Sequence, residues 1–262
     1  MKRNSASSSV AGKSLGLVAG FLGLLAACGA YDLSRNKNFS PFVAKTYFFG
    51  NGLFTWLLSP VNTLLDLLAL PYRNKGVYNL EDLPAGYRNE IKKLIHTAHA
   101  EKVVERLEAV STGNARTMVF WKWYGANVDA VVDIPAFHES YQYVRTIGVS
   151  VFNKRQSTSR HFGPLRATLR VLYNINDIQD ESAYIEVGDI TSRWRDNKLF
   201  IFDDTLMHKS VNETDQIRYC LFVDILRPSV WSTPFSVAVG CVRYFLRGVN
   251  SIFYKHWNVL GK

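Results

Sequence analysis

Cysteine is scarce in this chain. Its three thiols, Cys28, Cys220 and Cys241, stand far apart, are odd in number and include no Cys-x-x-Cys pair. Neither a disulfide framework nor a cysteine-ligated zinc cluster is expected, and a reducing compartment fits best. Acidic residues are in deficit as well, 22 against 31 lysines and arginines, which leaves a formal net charge of +9. No RNA- or DNA-binding signature accompanies that excess. The basic residues stand beside hydrophobic segments instead, which points to an anionic membrane surface as partner and away from nucleic acid. What the chain has in quantity is apolar and aromatic material, 47% and 13% of 262 residues. That suffices for one full domain with a sizeable core plus accessory segments, and it is neither a disordered nor a coiled-coil composition.

The apolar residues cluster near the ends. After a polar, positive start, "SLGLVAGFLGLLAACGA" runs uncharged from Ser14 to Ala30. At about 1.5 Å per residue it spans roughly 25 Å, just enough for a thin bilayer core. An uncleaved anchor held by Lys2, Arg3 and Lys13 on the inside is the leading reading. A cleaved signal peptide and a lipoprotein signal ending at Cys28 are the alternatives. A second hydrophobic region, Tyr47 to Pro71, contains Pro60 and Asp66 and does not read as a clean span. It fits a returning hairpin, a broken interfacial helix or a helix packed on the soluble domain. The basic tail holds an apolar stripe, Phe235, Val239, Val242, Leu246, Val249 and Phe253, that suggests an interfacial helix, the alternative being a helix covering a sheet edge.

Between these ends the pattern changes. "NEIKKLIHTAHAEKVVERLEAV" has apolar residues at helical spacing, with His96 and His99 on a solvated face. From Arg116 to Leu226, short runs such as "VRTIGVSVF", "LRATLRVLYNI", "KLFIFDD" and "RYCLFVDIL" alternate roughly with period two. Several short strands at this spacing give a mainly β fold, a sandwich or a jelly roll, with flanking helices and membrane-associating segments. The expected division is 1–75 for the hydrophobic N-terminal part, 76–228 for the β domain and 229–262 for the basic tail.

Two histidines at strand ends stand in distinctive stretches, His161 opening "HFGP" and His208 closing "FDDTLMH". Imidazole suits Fe(II), Zn and Cu alike, so the pair alone does not choose a metal. Here the residues resemble a known family, the aspartyl/asparaginyl β-hydroxylases, which are iron- and 2-oxoglutarate-dependent dioxygenases. The resemblance rests on His-x-Gly-Pro at His161 and an arginine nine residues on, Arg170. It continues with Phe-Asp-Asp-Thr-x-x-His ending at His208, an arginine ten residues on, Arg218, and "VDILRP" from Val223. The resemblance implies a double-stranded β-helix that binds Fe(II) through His161 and His208 alone, with O2 and 2-oxoglutarate as co-substrates. In other dioxygenases of this kind a carboxylate stands two residues after the first histidine. Gly163 stands there in this chain, and the absent side chain is expected to leave room for water and the co-substrate. By the same resemblance Arg218 takes the far carboxylate of 2-oxoglutarate, with Ser150 and Arg170 completing that site. Arg166, with no motif partner, is expected at the surface or facing substrate. One departure is Leu172, where protein-hydroxylating members have a histidine.

The family also includes enzymes that hydroxylate the acyl chains of lipid A or ornithine lipids. Hydrophobic segments on both sides of the catalytic block and the basic tail favour that branch, at the cytoplasmic side of a bacterial inner membrane. A membrane-anchored protein Asp/Asn β-hydroxylase and a non-catalytic membrane lipoprotein are the alternatives. Oligomeric state is not readable from the sequence.

Overall fold

In the computed structural model, which describes residues 5–110, 116–246 and 258–260, helices come first. α1 (Ser5–Ser34) carries the N-terminal apolar run, and α2 (Pro41–Phe49), α3 (Leu53–Leu57) and α4 (Ser59–Leu68) follow. The second hydrophobic region is thus broken into short helices. Ser40 caps α2 by accepting a hydrogen bond from the Val43 amide, and prolines occupy the first turns of α2 and α4, where a missing N–H costs nothing. Gly52 lets the chain reverse between α2 and α3, since a Cβ there would lie 2.6 Å from Tyr47 Cα. None of these three helices approaches the roughly 20 residues of a membrane span. In α1 the stretch Gly16–Ser34 is long and apolar enough to cross a bilayer. Cys28 sits in mid-helix, turned inward and 7% exposed.

After β1 (Val77–Tyr78) the predicted amphipathic helix forms as two pieces, α5 (Ala85–Ala100) and α6 (Val103–Glu108). The break is at Lys102, which adopts a left-handed φ of 47°. Then come β2 (Thr117–Trp123), β3 (Ala126–Asn127), α7 (Pro135–His138), β4 (Val144–Phe152), β5 (Gln156–Ser157) and β6 (Thr168–Asn174). The chain continues through β7 (Ala183–Val187), β8 (Ile190–Arg193), β9 (Leu199–Phe202), β10 (His208–Asn212), β11 (Arg218–Leu226), α8 (Thr233–Leu246) and β12 (Asn258–Leu260). The strands make an eight-stranded sheet in the order β1-β9-β6-β11-β4-β2-β12, with β3 on β2, and a four-stranded sheet β5-β10-β7-β8. The fold is mainly β, two largely antiparallel sheets facing each other as a jelly roll.

β11 is the central strand and is buried along its whole length. Alternation sends Tyr219, Leu221, Val223 and Ile225 to the outer face, where they pack with Tyr87, Ile91 and Leu94 of α5 and Val103 and Leu107 of α6. The same alternation turns Arg218, Cys220, Phe222 and Asp224 toward the smaller sheet. There Cys220 and Phe222 share a core with Leu172, Ile185, Trp194, Phe200 and Phe202. One face of the main sheet therefore supplies stability, each fully buried Leu, Ile or Val contributing about 1.5–3 kcal/mol. The other lines the lumen with chemistry.

The tail differs from the interfacial-helix expectation. Phe235 and Val239 of α8 are buried against Leu65 and Ala69 of α4 and Leu226 of β11. The stripe covers the body of the protein, and what looks outward from α8 is Val237 and Tyr244. Val249, Phe253 and Lys255 lie outside the described residues.

Candidate active site

His161 and His208 meet at the open end of the lumen. Their main chains form an isolated antiparallel bridge, His161 N to His208 O at 3.0 Å and His208 N to His161 O at 2.9 Å. The rings lie 4.2 Å apart, centroid to centroid, tilted by 52°. Each ring is locked from behind: His161 Nδ1 lies 2.8 Å from Ser159 O and His208 Nδ1 2.9 Å from Leu206 O. A carbonyl only accepts, so both Nδ1 atoms carry the proton and both Nε2 atoms keep a lone pair. Burial lowers both pKa values, that of His208 strongly, and the charge of Arg170 adds to the effect on each. The pair is therefore neutral at pH 7, the state in which imidazole ligates a metal. Among the described residues no third His, Cys, Asp or Glu joins them as a ligating cluster. The donor set is two imidazoles with the rest of a metal's sphere open to water or a chelating co-substrate, and it fits iron(II) so held.

Arg218 lies deeper. It is 1% exposed, yet among the described residues no carboxylate pairs with it. Nη2 donates to Ser210 Oγ at 2.8 Å, while Nε and Nη1 have no hydrogen-bond partner. The guanidinium carbon sits 4.1 Å from the Phe152 ring centroid and 5.3 Å from that of Trp194. Desolvation presses its pKa down to about 10. A buried cation with two orphaned donors is costly unless an anion completes it, and the parallel N–H fork matches a carboxylate. Ser210 follows His208 by two residues on β10, so the hydroxyl that accepts from this fork stands about 6–7 Å along the strand from the histidine. Ser210 was invisible to motif reading, although its i+2 relation to His208 was a usable signal. Ser150 is buried on β4 directly opposite Cys220, its hydroxyl donating to the Cys220 carbonyl at 3.4 Å.

Arg170 is held by two acids, Asp224 Oδ1 at 2.6 Å from Nε and Asp204 Oδ2 at 3.0 Å from Nη2, and stacks 3.8 Å from the Phe222 ring centroid. Asp204 explains Gly163. A Cβ on Gly163 would lie 2.3 Å from the Asp204 carboxyl carbon, so the space beside this glycine is filled by that carboxyl group and is not the free room the sequence suggested. Gly163→Ala should force the loop apart at a cost of about 1–3 kcal/mol, read as a lowered melting temperature with loss of activity. Burial, with Asp224 and Asp203 nearby, raises the pKa of Asp204 to about 7 against the pull of Arg170. The native state thus holds a proton between about pH 4 and 7 that an unfolded aspartate has released, so stability falls as pH rises through that window. Asp204→Asn should flatten that decline in melting temperature measured from pH 4 to 7.

Arg166 corrects the sequence reading outright. It is neither at the surface nor facing substrate but fully buried. It reaches Asp32 of α1 at 2.5 Å, Asp66 of α4 at 2.7 Å and, through Nε, Asp203 at 3.5 Å. Arg35 pairs with Asp203 at 2.5 Å, Arg227 pairs with Asp66, and Tyr47 donates to Asp32 at 2.8 Å. Three arginines balance three aspartates. Burial alone would raise the pKa of Asp203, but Arg35 and Arg166 outweigh it and hold the carboxyl well below the usual range. Asp203 in turn accepts from the Thr205 amide and hydroxyl at 2.9 and 2.7 Å, shaping the loop that carries His208. From the helices, Thr55 and Asn62 donate to the Gly163 and Pro164 carbonyls at 2.9 and 3.1 Å. Both loops that end in a histidine are therefore braced by the N-terminal helices.

The chain is similar to known proteins. The family described as Aspartyl/Asparaginyl beta-hydroxylase matches residues 88–228. A curated relative from Rhizobium tropici, described as an ornithine lipid ester-linked acyl 2-hydroxylase, is 26% identical over 157 residues. That match covers 56% of each protein, so the chain spans little more than half the length of this relative. Among solved structures, a cupin domain from Bordetella pertussis aligns with TM-score 0.28 and 12% identity, covering 45% of this chain and 99% of that one. A cupin 2 conserved barrel protein from Salinispora arenicola aligns with TM-score 0.31 and 10% identity, covering 50% and 88%.

Proposed function

The chain belongs to the aspartyl/asparaginyl β-hydroxylase family, and from that premise we propose that it hydroxylates the acyl chain of a membrane lipid, with 2-oxoglutarate as co-substrate and iron(II) on His161 and His208. When bound, the iron supplies the oxidising chemistry, in which O2 converts 2-oxoglutarate to succinate and carbon dioxide and places one oxygen atom in a C–H bond of the lipid.

The observation that carries the reading is the unpaired guanidinium of Arg218. Its free Nε and Nη1 present a fork to the far carboxylate of the co-substrate, while Ser210, Phe152 and Trp194 fix the fork's direction. His161 and His208 keep Nε2 unprotonated and aimed by their Nδ1 anchors. Arg170 and Ser150 complete the lumen wall on either side of β11. Asp204 holds a proton near neutrality beside Gly163. A lipid is favoured over a protein side chain by the bare apolar helices next to the site, whose exposed residues include Phe42, Phe49, Leu64 and Leu67, and by Leu172 in place of the histidine of protein-hydroxylating members. The matching relative acts, by its description, on an ornithine lipid. α1 provides the anchor, and the cytoplasmic face of a bacterial inner membrane supplies iron and 2-oxoglutarate.

Lipids extracted from cells with and without the gene should differ by one oxygen in a single lipid class under mass spectrometry. Complementation with His161→Ala or His208→Ala should leave that oxygen absent. A restored product with either variant removes the ligand assignment.

A further inference from the structure

α4 wears its polarity inside out. Ser59, Asn62 and Asp66 face the protein, with Ser59 and Asn62 fully buried, whereas Val61, Leu64 and Leu67 are 42%, 54% and 62% exposed. α2 and α3 continue that bare surface with Phe42 at 57%, Phe49 at 86% and Leu57 at 49%. A helix at a water boundary has the opposite pattern. The polar groups of this one are spent inward on the ion cluster and on the Pro164 carbonyl, so the outer medium it is built for is hydrocarbon. α1 lies against α4 and is just as bare outward, with Leu17 at 76% and Phe21 at 58%.

Phe42 belongs to this surface and also to the wall of a cavity of about 270 Å³ that His208 helps to line. Besides Phe42 and His208, the wall carries apolar Val43 and Met207, polar Asn36, Asn38 and Ser40, and charged Arg160, Lys209 and Glu186. Glu186 is shared by the two bases, 2.7 Å from Arg160 and 3.4 Å from Lys209, so the group carries one net positive charge. At about 30 Å³ per water-sized group the cavity holds roughly nine such groups, too few for a whole acyl chain.

We propose that this cavity is a lateral binding site for the polar end of an anionic membrane lipid. The acyl chain leaves the bilayer over Phe42, its first carbons lie along Val43 and Met207 against His208, and its negative group rests on Arg160 and Lys209. The rest of the chain stays in hydrocarbon along α2–α4. This rests on the lipid-hydroxylase reading and specifies where that substrate sits.

The test uses the full-length protein in vesicles of phosphatidylcholine and phosphatidylglycerol, with a trace of phosphatidylglycerol bearing a photoactivatable diazirine either near the acyl carbonyl or at the chain end. Labelled peptides are mapped by mass spectrometry. The near-carbonyl probe should mark Phe42, Val43 and Met207, and the chain-end probe Leu64 and Leu67. In the double variant Arg160→Ala/Lys209→Ala the near-carbonyl labelling should drop at least about fivefold. Near-carbonyl labelling confined to α1, labelling of the cavity indifferent to the double variant, or α2–α4 crosslinked to a second copy of the chain would each overturn the proposal. Labelling requires neither metal nor 2-oxoglutarate. A labelled cavity without hydroxylated lipid in cells would count against the catalytic reading alone, and hydroxylated lipid with an unlabelled cavity against this site alone.

Discussion

Arg218→Met should give a protein that melts higher and no longer responds to 2-oxoglutarate. The side chain is fully buried with no counter-ion among the described residues, and burial lowers its pKa to about 10. A displacement of that size corresponds to about 3 kcal/mol spent on keeping the charge in the fold. Methionine has a similar length and apolar bulk and fits between Phe152 and Trp194 without that cost. Loss of the Ser210 hydrogen bond and of the two ring contacts returns part of it, so a net gain of about 1–2 kcal/mol is expected. The ligand response should run the other way. With manganese present to occupy the histidines without turnover, 2-oxoglutarate at a hundred times its Kd should stabilise the wild-type protein by about 2.7 kcal/mol, and the variant not at all. Two melting curves per protein, with and without the diacid, decide the matter. A variant that melts lower and still shifts would mean that Arg218 is a structural cation and that the co-substrate is held elsewhere.

Arg166→Ala should produce the largest loss of stability of any single change discussed for this chain. It removes a cation that touches Asp32, Asp66 and Asp203 together. Arg35 and Arg227 then face three buried carboxylates. Uncovering a buried charge in this way costs about 3–5 kcal/mol, or roughly 6–20 °C in melting temperature for a protein of this size. Activity should fall further than stability accounts for, because Asp203 shapes the turn into His208 through Thr205. Urea denaturation in detergent gives the first quantity. Succinate formation at a temperature where the variant is still folded gives the second. A stability change under about 1 kcal/mol would show that water replaces the guanidinium.

The barrel was legible because its signals are local. Period-two runs between polar breaks gave strands, and the spacing of His161, Arg170, His208 and Arg218 named the residues that the fold gathers on one lumen. β11 carries both messages at once, its odd positions reading as core and Arg218 as an intrusion needing a ligand. What stayed hidden depends on pairing between distant segments. Arg166 had no motif partner because its partners lie up to 134 residues away on α1. Gly163 looked like vacancy because nothing local announces that Asp204 packs against it. The apolar stripe on α8 has the same period whether it meets lipid or α4, and the choice went to α4 because Leu65 and Ala69 were already turned toward it.

The six-charge cluster also bears on how the protein can be taken apart. A fragment beginning at Val77 would keep every strand of the barrel together with His161, His208, Arg170 and Arg218. It would also lose Asp32, Arg35 and Asp66, leaving Arg166, Asp203 and Arg227 stranded under a newly opened surface. Helices and barrel share one electrostatic keystone, so lowering the exposed apolar area calls for repainting the outward-facing leucines and phenylalanines of α2–α4, with the helices left attached.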